Sequence, residues 1–144
     1  MFPELMTIPM REELTQLGIV ELRTPSQVDE ALSRKAGTTM VVVNSVCGCA
    51  AGRMRPAVRM ALEHSVRPDG MVSVFAGQDR EATEQARKYF TGYPPSSPSI
   101  GLLRDGELLY FMERQDIENR DPEDIAADLM ASFDKFCRKT ATAG

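Results

Sequence analysis

Residues 39–62 decide the fold: Thr39-Met-Val-Val-Val-Asn44, then Ser45-Val-Cys47-Gly-Cys49, then Ala50-Ala-Gly-Arg-Met-Arg-Pro-Ala-Val-Arg-Met-Ala-Leu62. The first piece is apolar and rich in β-branched residues, the pattern of a strand buried on both faces. The last piece carries good helix formers and predicts a helix. Two thiols therefore fall on a strand-to-helix seam. Backbone N–H groups there have no intrahelical partner, and the positive end of the helix dipole favours thiolate over thiol. Thiolate is the nucleophile, and helix N-termini lower a cysteine pKa well below its free value of about 8.5. The position suits thiol chemistry.

Working outward, Ile8-Pro-Met-Arg-Glu-Glu-Leu-Thr-Gln-Leu-Gly18 places Met10, Leu14 and Leu17 at helical spacing, with Pro9 near the first turn and Gly18 as a stop. Ile19-Val-Glu-Leu22 predicts a short strand. Thr24-Pro-Ser-Gln27 reads as a capping box that opens a helix running to about Lys35. Beyond the cysteine helix, Met71-Val-Ser-Val-Phe75 predicts a strand, followed by a helix from Arg80 to Phe90 with Asp79 as its cap. Ser99-Ile-Gly-Leu-Leu103 and Glu107-Leu-Leu-Tyr-Phe111 flank Asp105-Gly106, a strong hairpin signal. Asp121-Pro122 starts a last helix with Ile125, Leu129, Phe133 and Phe136 on one face. The order α-β-α-β-α-β-α-β-β-α predicts an α/β, thioredoxin-like three-layer sandwich: a mixed central sheet with helices on both faces.

Two prolines agree with that fold. Pro56 stands where thioredoxins kink the corresponding helix, and it should remove one ladder bond. Pro98, in Pro94-Pro-Ser-Ser-Pro-Ser-Ile100, precedes the hairpin strand. Thioredoxin-like proteins carry a cis-proline there, beside the active cysteines, and its loop backbone pairs with substrate. A loop that needs a cis bond must use proline. Ser97 and Pro98 are thus expected at the substrate side, with Gly48.

Composition bounds the rest. The 144 residues are 42% hydrophobic, enough for one domain over residues 1–144 with a core of its own. The net charge is -4, and no basic stretch suggests nucleic acid or an anionic membrane. Met1-Phe-Pro-Glu lacks the features of a signal peptide, and no apolar run approaches the length of a span. Three cysteines, two nearly adjacent, make a poor disulfide framework and favour a reducing cytoplasm.

Three stretches together resemble the bacilliredoxin family: Val41-Val-Val-Asn-Ser-Val-Cys-Gly-Cys-Ala-Ala-Gly52, Phe75-Ala-Gly-Gln-Asp79, and Tyr89-Phe-Thr-Gly92 with Pro95-Ser-Ser-Pro-Ser99. The resemblance runs from Pro9-Met-Arg-Glu-Glu-Leu14 to the helix around Phe133. A bare C-x-C is common, whereas Cys-Gly-Cys in that flank is specific. The resemblance implies a thioredoxin-like protein that reduces mixed disulfides between client-protein cysteines and a low-molecular-weight thiol, bacillithiol. Weak disulfide isomerase activity is implied beside it. The small thiol is then a co-substrate, client proteins are the partners, and no bound cofactor is called for.

The residues alone assign the chemistry similarly. A thiolate attacks a disulfide sulfur, a mixed disulfide forms, and a neighbouring thiol releases it. Cys47, nearer the helix start, is expected to attack; Cys49, inside the first turn, is expected to resolve. Gly48 between them tolerates unusual dihedrals if the loop needs them. The competing class is a metal or copper(I) carrier that uses the C-x-C thiolates. A metal site needs about four donors, and the chain offers Cys47, Cys49, Cys137 and the single His64. Cys137 reads as a buried bystander and His64 as a solvent-facing residue at the end of the cysteine helix. Nine methionines stand at helical core spacing. No metal site is expected.

Overall fold

The computed structural model describes residues 2–34 and 37–138. Strand β2 (Thr38–Asn44) lies in the middle of the sheet and is buried at every position but Thr39. Its side chains alternate. Met40 and Val42 enter one apolar cluster, Val41 and Val43 the other. Successive strand residues point to opposite faces, so a strand covered on both must be apolar throughout. Strand β3 (Gly70–Phe75) runs parallel to it on one side, with the short β1 (Val20–Glu21) parallel beyond. On the other side, β4 (Ser99–Arg104) runs antiparallel and pairs with β5 (Glu107–Met112). The order is β1-β3-β2-β4-β5. Asp105 and Gly106 both take positive φ, 53° and 84°, as a two-residue hairpin turn requires.

Helices α1 (Glu4–Thr15), α3 (Arg55–Ala61) and α5 (Pro122–Phe136) cover one face. Leu14, Val58, Ile125, Leu129 and Phe133 fill that core with Met40, Val42 and Ile100. Helices α2 (Pro25–Leu32) and α4 (Arg80–Arg87) cover the other, where Val28, Leu32, Ala82 and Ala86 meet Val41, Val43 and Val74. This is the three-layer α/β sandwich of the thioredoxin-like class. Among the described residues, no helix is long and apolar enough to cross a membrane.

Local structure departs from the sequence expectation at six places. Helix α1 begins at Glu4, so Pro9 lies inside it. Its missing donor falls on an exposed face, where solvent can serve the carbonyl one turn earlier. Thr24 caps α2 as expected, accepting from the Gln27 N–H at 3.1 Å, but the helix ends at Leu32. The expected end near Lys35 lies outside the described residues. Asp79 holds the cap position of α4 without capping it, because its carboxylate is taken by the buried Arg11 at 2.6 Å. That helix stops at Arg87, and Phe90 instead packs against Phe111 with ring centroids 4.9 Å apart. A 3₁₀ turn at Arg114–Asp116 was not expected at all.

The sixth departure shapes the site. The chain does not enter one continuous α-helix after the cysteines. Residues Ala50–Met54 form a wide π turn, closed where the Arg55 N–H reaches the Ala50 carbonyl, and α3 follows. Pro56 then stands in the first turn of α3, where a missing N–H costs little. The wide turn also relieves the clash of a proline ring with the carbonyl four residues back. The ladder break expected at Pro56 takes this form.

Candidate active site

The strand ends on a polar residue, Asn44, which is 1% exposed. Its Nδ2 donates to the Met10 carbonyl at 3.1 Å, and its Oδ1 accepts from the Ser45 N–H at 2.9 Å. Ser45 Oγ in turn accepts from the Cys47 N–H at 3.1 Å. Cys47 Sγ accepts from the Cys49 N–H at 3.2 Å. Three side chains in succession thus each take a backbone N–H one or two residues on. Short polar side chains fold turns this way in place of helix or sheet ladders. The Cys47 carbonyl accepts from the N–H groups of Ala50 and Ala51 at 3.0 and 3.2 Å. Cys47 therefore occupies an N-cap position, its sulfur standing where serine or aspartate usually places oxygen.

Behind the turn lies a buried cation. Arg55, 4% exposed, donates through Nη1 to Asn44 Oδ1 and to the Ser45 carbonyl, both at 2.9 Å. Its Nε pairs with Glu13 of α1. A buried charge is tolerable only when paired and hydrogen-bonded, and here every partner belongs to an element framing the dithiol.

The two thiols differ in protonation. Burial pushes Cys47 up, but the Cys49 N–H, the Cys49 thiol, the Ala50 N–H and the Arg114 guanidinium outweigh it and hold Cys47 below its ordinary value. Cys49 moves the other way. Burial raises it first, then its hydrogen bond with Cys47 and the charge there; Arg114 lowers it and Glu118 raises it further. Both thiols are free and half-buried, and Cys49 packs against the core of the α1/α3/α5 face.

Arg114 joins this turn to a second one. Its Nη2 lies 4.0 Å from Cys49 Sγ, and its Nη1 donates to the Ser97 carbonyl at 3.3 Å. The Ser97–Pro98 peptide bond is cis, and Pro98 is buried. Cys49 and the Ser97–Pro98 loop are thus linked through one guanidinium, whose charge also acts on Cys47. Gly48 is exposed in the same turn, but its φ lies outside the left-handed region and a Cβ there would meet nothing within 4 Å. The backbone does not need glycine at this position, which corrects the reason given for it above.

Other donors stand apart. Cys137 caps the end of α5, half-buried; burial pushes its thiol up, and a hydrogen bond with Thr38 pulls it partly back. Thr38 opens β2 and Cys47 follows the end of that strand. At about 3.3 Å per residue, roughly 20 Å of strand separates the two ends. His64 does not face solvent freely: its ring lies 3.0 Å from Asp134 and ties the end of the cysteine helix to α5. Among the described residues, no three His, Cys, Asp or Glu side chains converge as a metal site would require.

Sequence reasoning missed Arg114, Glu118 and Arg55. The first two hang on the 3₁₀ turn, whose Glu113 and Asp116 cap each other reciprocally, Asp116 Oδ2 accepting the Glu113 N–H at 3.0 Å. That four-residue spacing was the available signal. For Arg55, the signal was a polar asparagine closing an otherwise apolar strand.

The family described as disulphide isomerase matches this chain over residues 2–137. A bacilliredoxin of Koribacter versatilis is 58% identical over 143 residues, covering 99% of each chain. One from Geobacillus kaustophilus is 52% identical over 130 residues, 90% of each. Among solved structures, the thioredoxin of Malassezia sympodialis superposes with a TM-score of 0.60 at 10% identity, over 83% of this chain and 91% of that one. A mutant thioredoxin from Halobacterium salinarum gives 0.53 at 14%, over 84% and 92%. At such identities the likeness to the thioredoxins is one of fold.

Proposed function

This chain belongs to the bacilliredoxin family and is a thiol–disulfide oxidoreductase, and we propose that it reduces mixed disulfides between client-protein cysteines and a low-molecular-weight thiol, bacillithiol where the host makes it. Cys47 is the nucleophile. Its thiolate attacks the small-thiol sulfur of the mixed disulfide; a Cys47–small-thiol bond forms, and the client cysteine leaves as thiolate and takes a proton from water. Cys49 then loses its proton and attacks Cys47. The Cys47–Cys49 disulfide forms and the small thiol departs with the electron pair. The client is reduced by two electrons and the dithiol oxidised by two. No bound cofactor takes part, and the small thiol is a co-substrate.

The observation that carries this division is the cap geometry: Cys47 Sγ accepts the Cys49 N–H at 3.2 Å at the helix start, which favours thiolate there, while Cys49 packs against the core. Nucleophilic attack needs thiolate at neutral pH, and Cys47 holds more of it. Gly48, Ser97 and Pro98 are assigned to the substrate side, Gly48 because it leaves the sulfurs uncovered and the loop because it is joined to Cys49 through Arg114. Rearrangement of disulfides within a client, a weaker isomerase activity, needs the same two sulfurs. Three cysteines, two of them one residue apart and all free, suit a reducing compartment, and the cytoplasm is the assigned location.

Intact-mass analysis with a client carrying a bacillithiol adduct tests the assignment. Cys49→Ser should take up the small thiol on Cys47 and stall, while Cys47→Ser should not react. An adduct on Cys47→Ser with none on Cys49→Ser would reverse the roles.

A further inference from the structure

Arg114 stands outside the dithiol turn, yet its guanidinium faces both halves of the site. Nε donates to Glu118 Oε2 at 3.0 Å, Nη1 to the Ser97 carbonyl at 3.3 Å, and Nη2 is turned to Cys49 Sγ at 4.0 Å. The Arg114 backbone N–H meets Ser96 Oγ at 3.4 Å. A planar, rigid fork can serve three such partners at once, which a lysine ammonium on a flexible stem cannot do in the same geometry. The turn beneath it is fixed by the reciprocal caps of Glu113 and Asp116 and by Ile117, whose side chain is fully buried. Arg114 is half-exposed, but it is held from a rigid base.

We propose that Arg114 is a positioning residue for the second half of the exchange, holding Cys49 and the Ser97–Pro98 loop in one frame and supplying the charge that the Cys49 thiolate needs. The inference rests on the division between Cys47 and Cys49 proposed above. During resolution Cys47 is tied up in the mixed disulfide and carries no charge. The charged groups then facing Cys49 are Arg114 and Glu118, both from the segment that follows β5. Burial in the α1/α3/α5 core favours the neutral thiol, so ionisation depends on the guanidinium. The cysteine gives its proton to solvent, its sulfur attacks Cys47 Sγ, and the bond from Cys47 to the small thiol breaks with the electron pair on the departing sulfur. Glu118 has a double effect: it orients Arg114 and offsets part of its charge.

Opposite signs at two neighbouring residues make the test. In the full chain carrying Cys47→Ser and Cys137→Ser, Cys49 is the remaining thiol, and its iodoacetamide alkylation is followed against pH. Arg114→Gln should move the midpoint up and Glu118→Gln should move it down, with Arg114→Lys between Arg114→Gln and the parent. A purely structural role moves both variants the same way or neither, and either result overturns the proposal. With Cys47 and Cys49 intact and Cys137→Ser, Arg114→Gln should also let the small-thiol adduct accumulate, resolving at least about threefold more slowly, since the thiolate lost when an opposite charge is removed is only partly offset by the greater nucleophilicity of a more basic sulfur. Resolution at the parent rate refutes the inference even where the adduct forms normally. If Cys49→Ser takes up no small thiol at all, the Cys47/Cys49 assignment fails instead, and the alkylation profiles still decide the part played by Arg114.

Discussion

Arg55 Nη1 donates to Asn44 Oδ1 at 2.9 Å, and through this contact the helix after the dithiol is fastened to the strand before it. The same asparagine holds the Met10 carbonyl and the Ser45 N–H. Removing its amide takes a partner from the Met10 carbonyl and the Ser45 N–H and leaves Arg55 Nη1 only the Ser45 carbonyl. Leaving a buried donor or acceptor unpaired costs about 1–3 kcal/mol each, and partial relaxation reduces the sum. Asn44→Ala is therefore expected to lose about 2–4 kcal/mol of stability, read as a lower midpoint in urea. Cys47 should also lose part of its enhanced alkylation rate as the Ser45 turn loosens. A stability loss within experimental error would mean that Arg55 and the turn hold without Asn44.

Gly48→Ala separates what the backbone needs from what the substrate needs. The added Cβ meets no atom within 4 Å, and φ at this position is open to any residue. Replacing glycine at a compatible site stabilises by about 0.4–1 kcal/mol through the unfolded chain. Thermal unfolding should thus be unchanged or slightly higher. Reduction of a mixed disulfide should nonetheless slow, because the methyl group stands beside the two sulfurs where a substrate must approach. Unchanged turnover would remove Gly48 from the substrate side.

The opposite shifts of the two thiols have a pH signature. A lowered pKa leaves more thiolate at neutral pH, so limited iodoacetamide at pH 7 should label Cys47 before Cys49 or Cys137, both of which are raised. Stability follows with a definite sign. The folded Cys47 pKa lies below its unfolded value, so its contribution is present in full above the unfolded value and lost as pH falls through the folded one. Cys47→Ser should therefore cost more stability near pH 9 than near pH 6. Peptide mapping and urea titrations at the two pH values check both halves.

Much of this site is legible in the chain because its parts are local. A strand that is apolar on both faces, a Cys-Gly-Cys at its end and helix formers beyond fix where the thiols sit before any tertiary contact is known. The Asp105-Gly106 hairpin and the Thr24 cap are equally local, and both stand where the sequence places them. Arg114 is different. It reaches Cys49 across 65 positions of sequence, and only the antiparallel addition of β4 and β5 to the central strand brings its turn to the right end of the sheet. No periodicity reports such a contact. Asp79 shows the converse: the cap is right by local propensity, but Arg11, 68 residues away in sequence, takes its carboxylate. Long-range ion pairs override local preference there.

The geometry of the turn bears finally on redox poise. A Cys47–Cys49 disulfide must close over Gly48 alone, while Cys49 already has helical dihedrals of -63° and -34°. Little freedom remains to reach the preferred disulfide geometry, and strain makes such a bond easier to reduce. Reduction also restores a thiolate at Cys47 that accepts the Cys49 N–H and faces the Arg114 guanidinium. Stabilising the reduced form raises the potential, as it does in strongly oxidising dithiols. Both effects act in one direction. The couple is expected to lie clearly above the roughly -270 mV of thioredoxin, and for two electrons about 30 mV corresponds to 1.4 kcal/mol. Titration against glutathione buffers, with free thiols counted by alkylation in a Cys137→Ser chain, measures it. A value at or below that of thioredoxin would make the pair a strong reductant. Cys47 would then be poorly suited to accept small-thiol adducts, and the exchange proposed for this site would have to be rewritten around direct dithiol reduction.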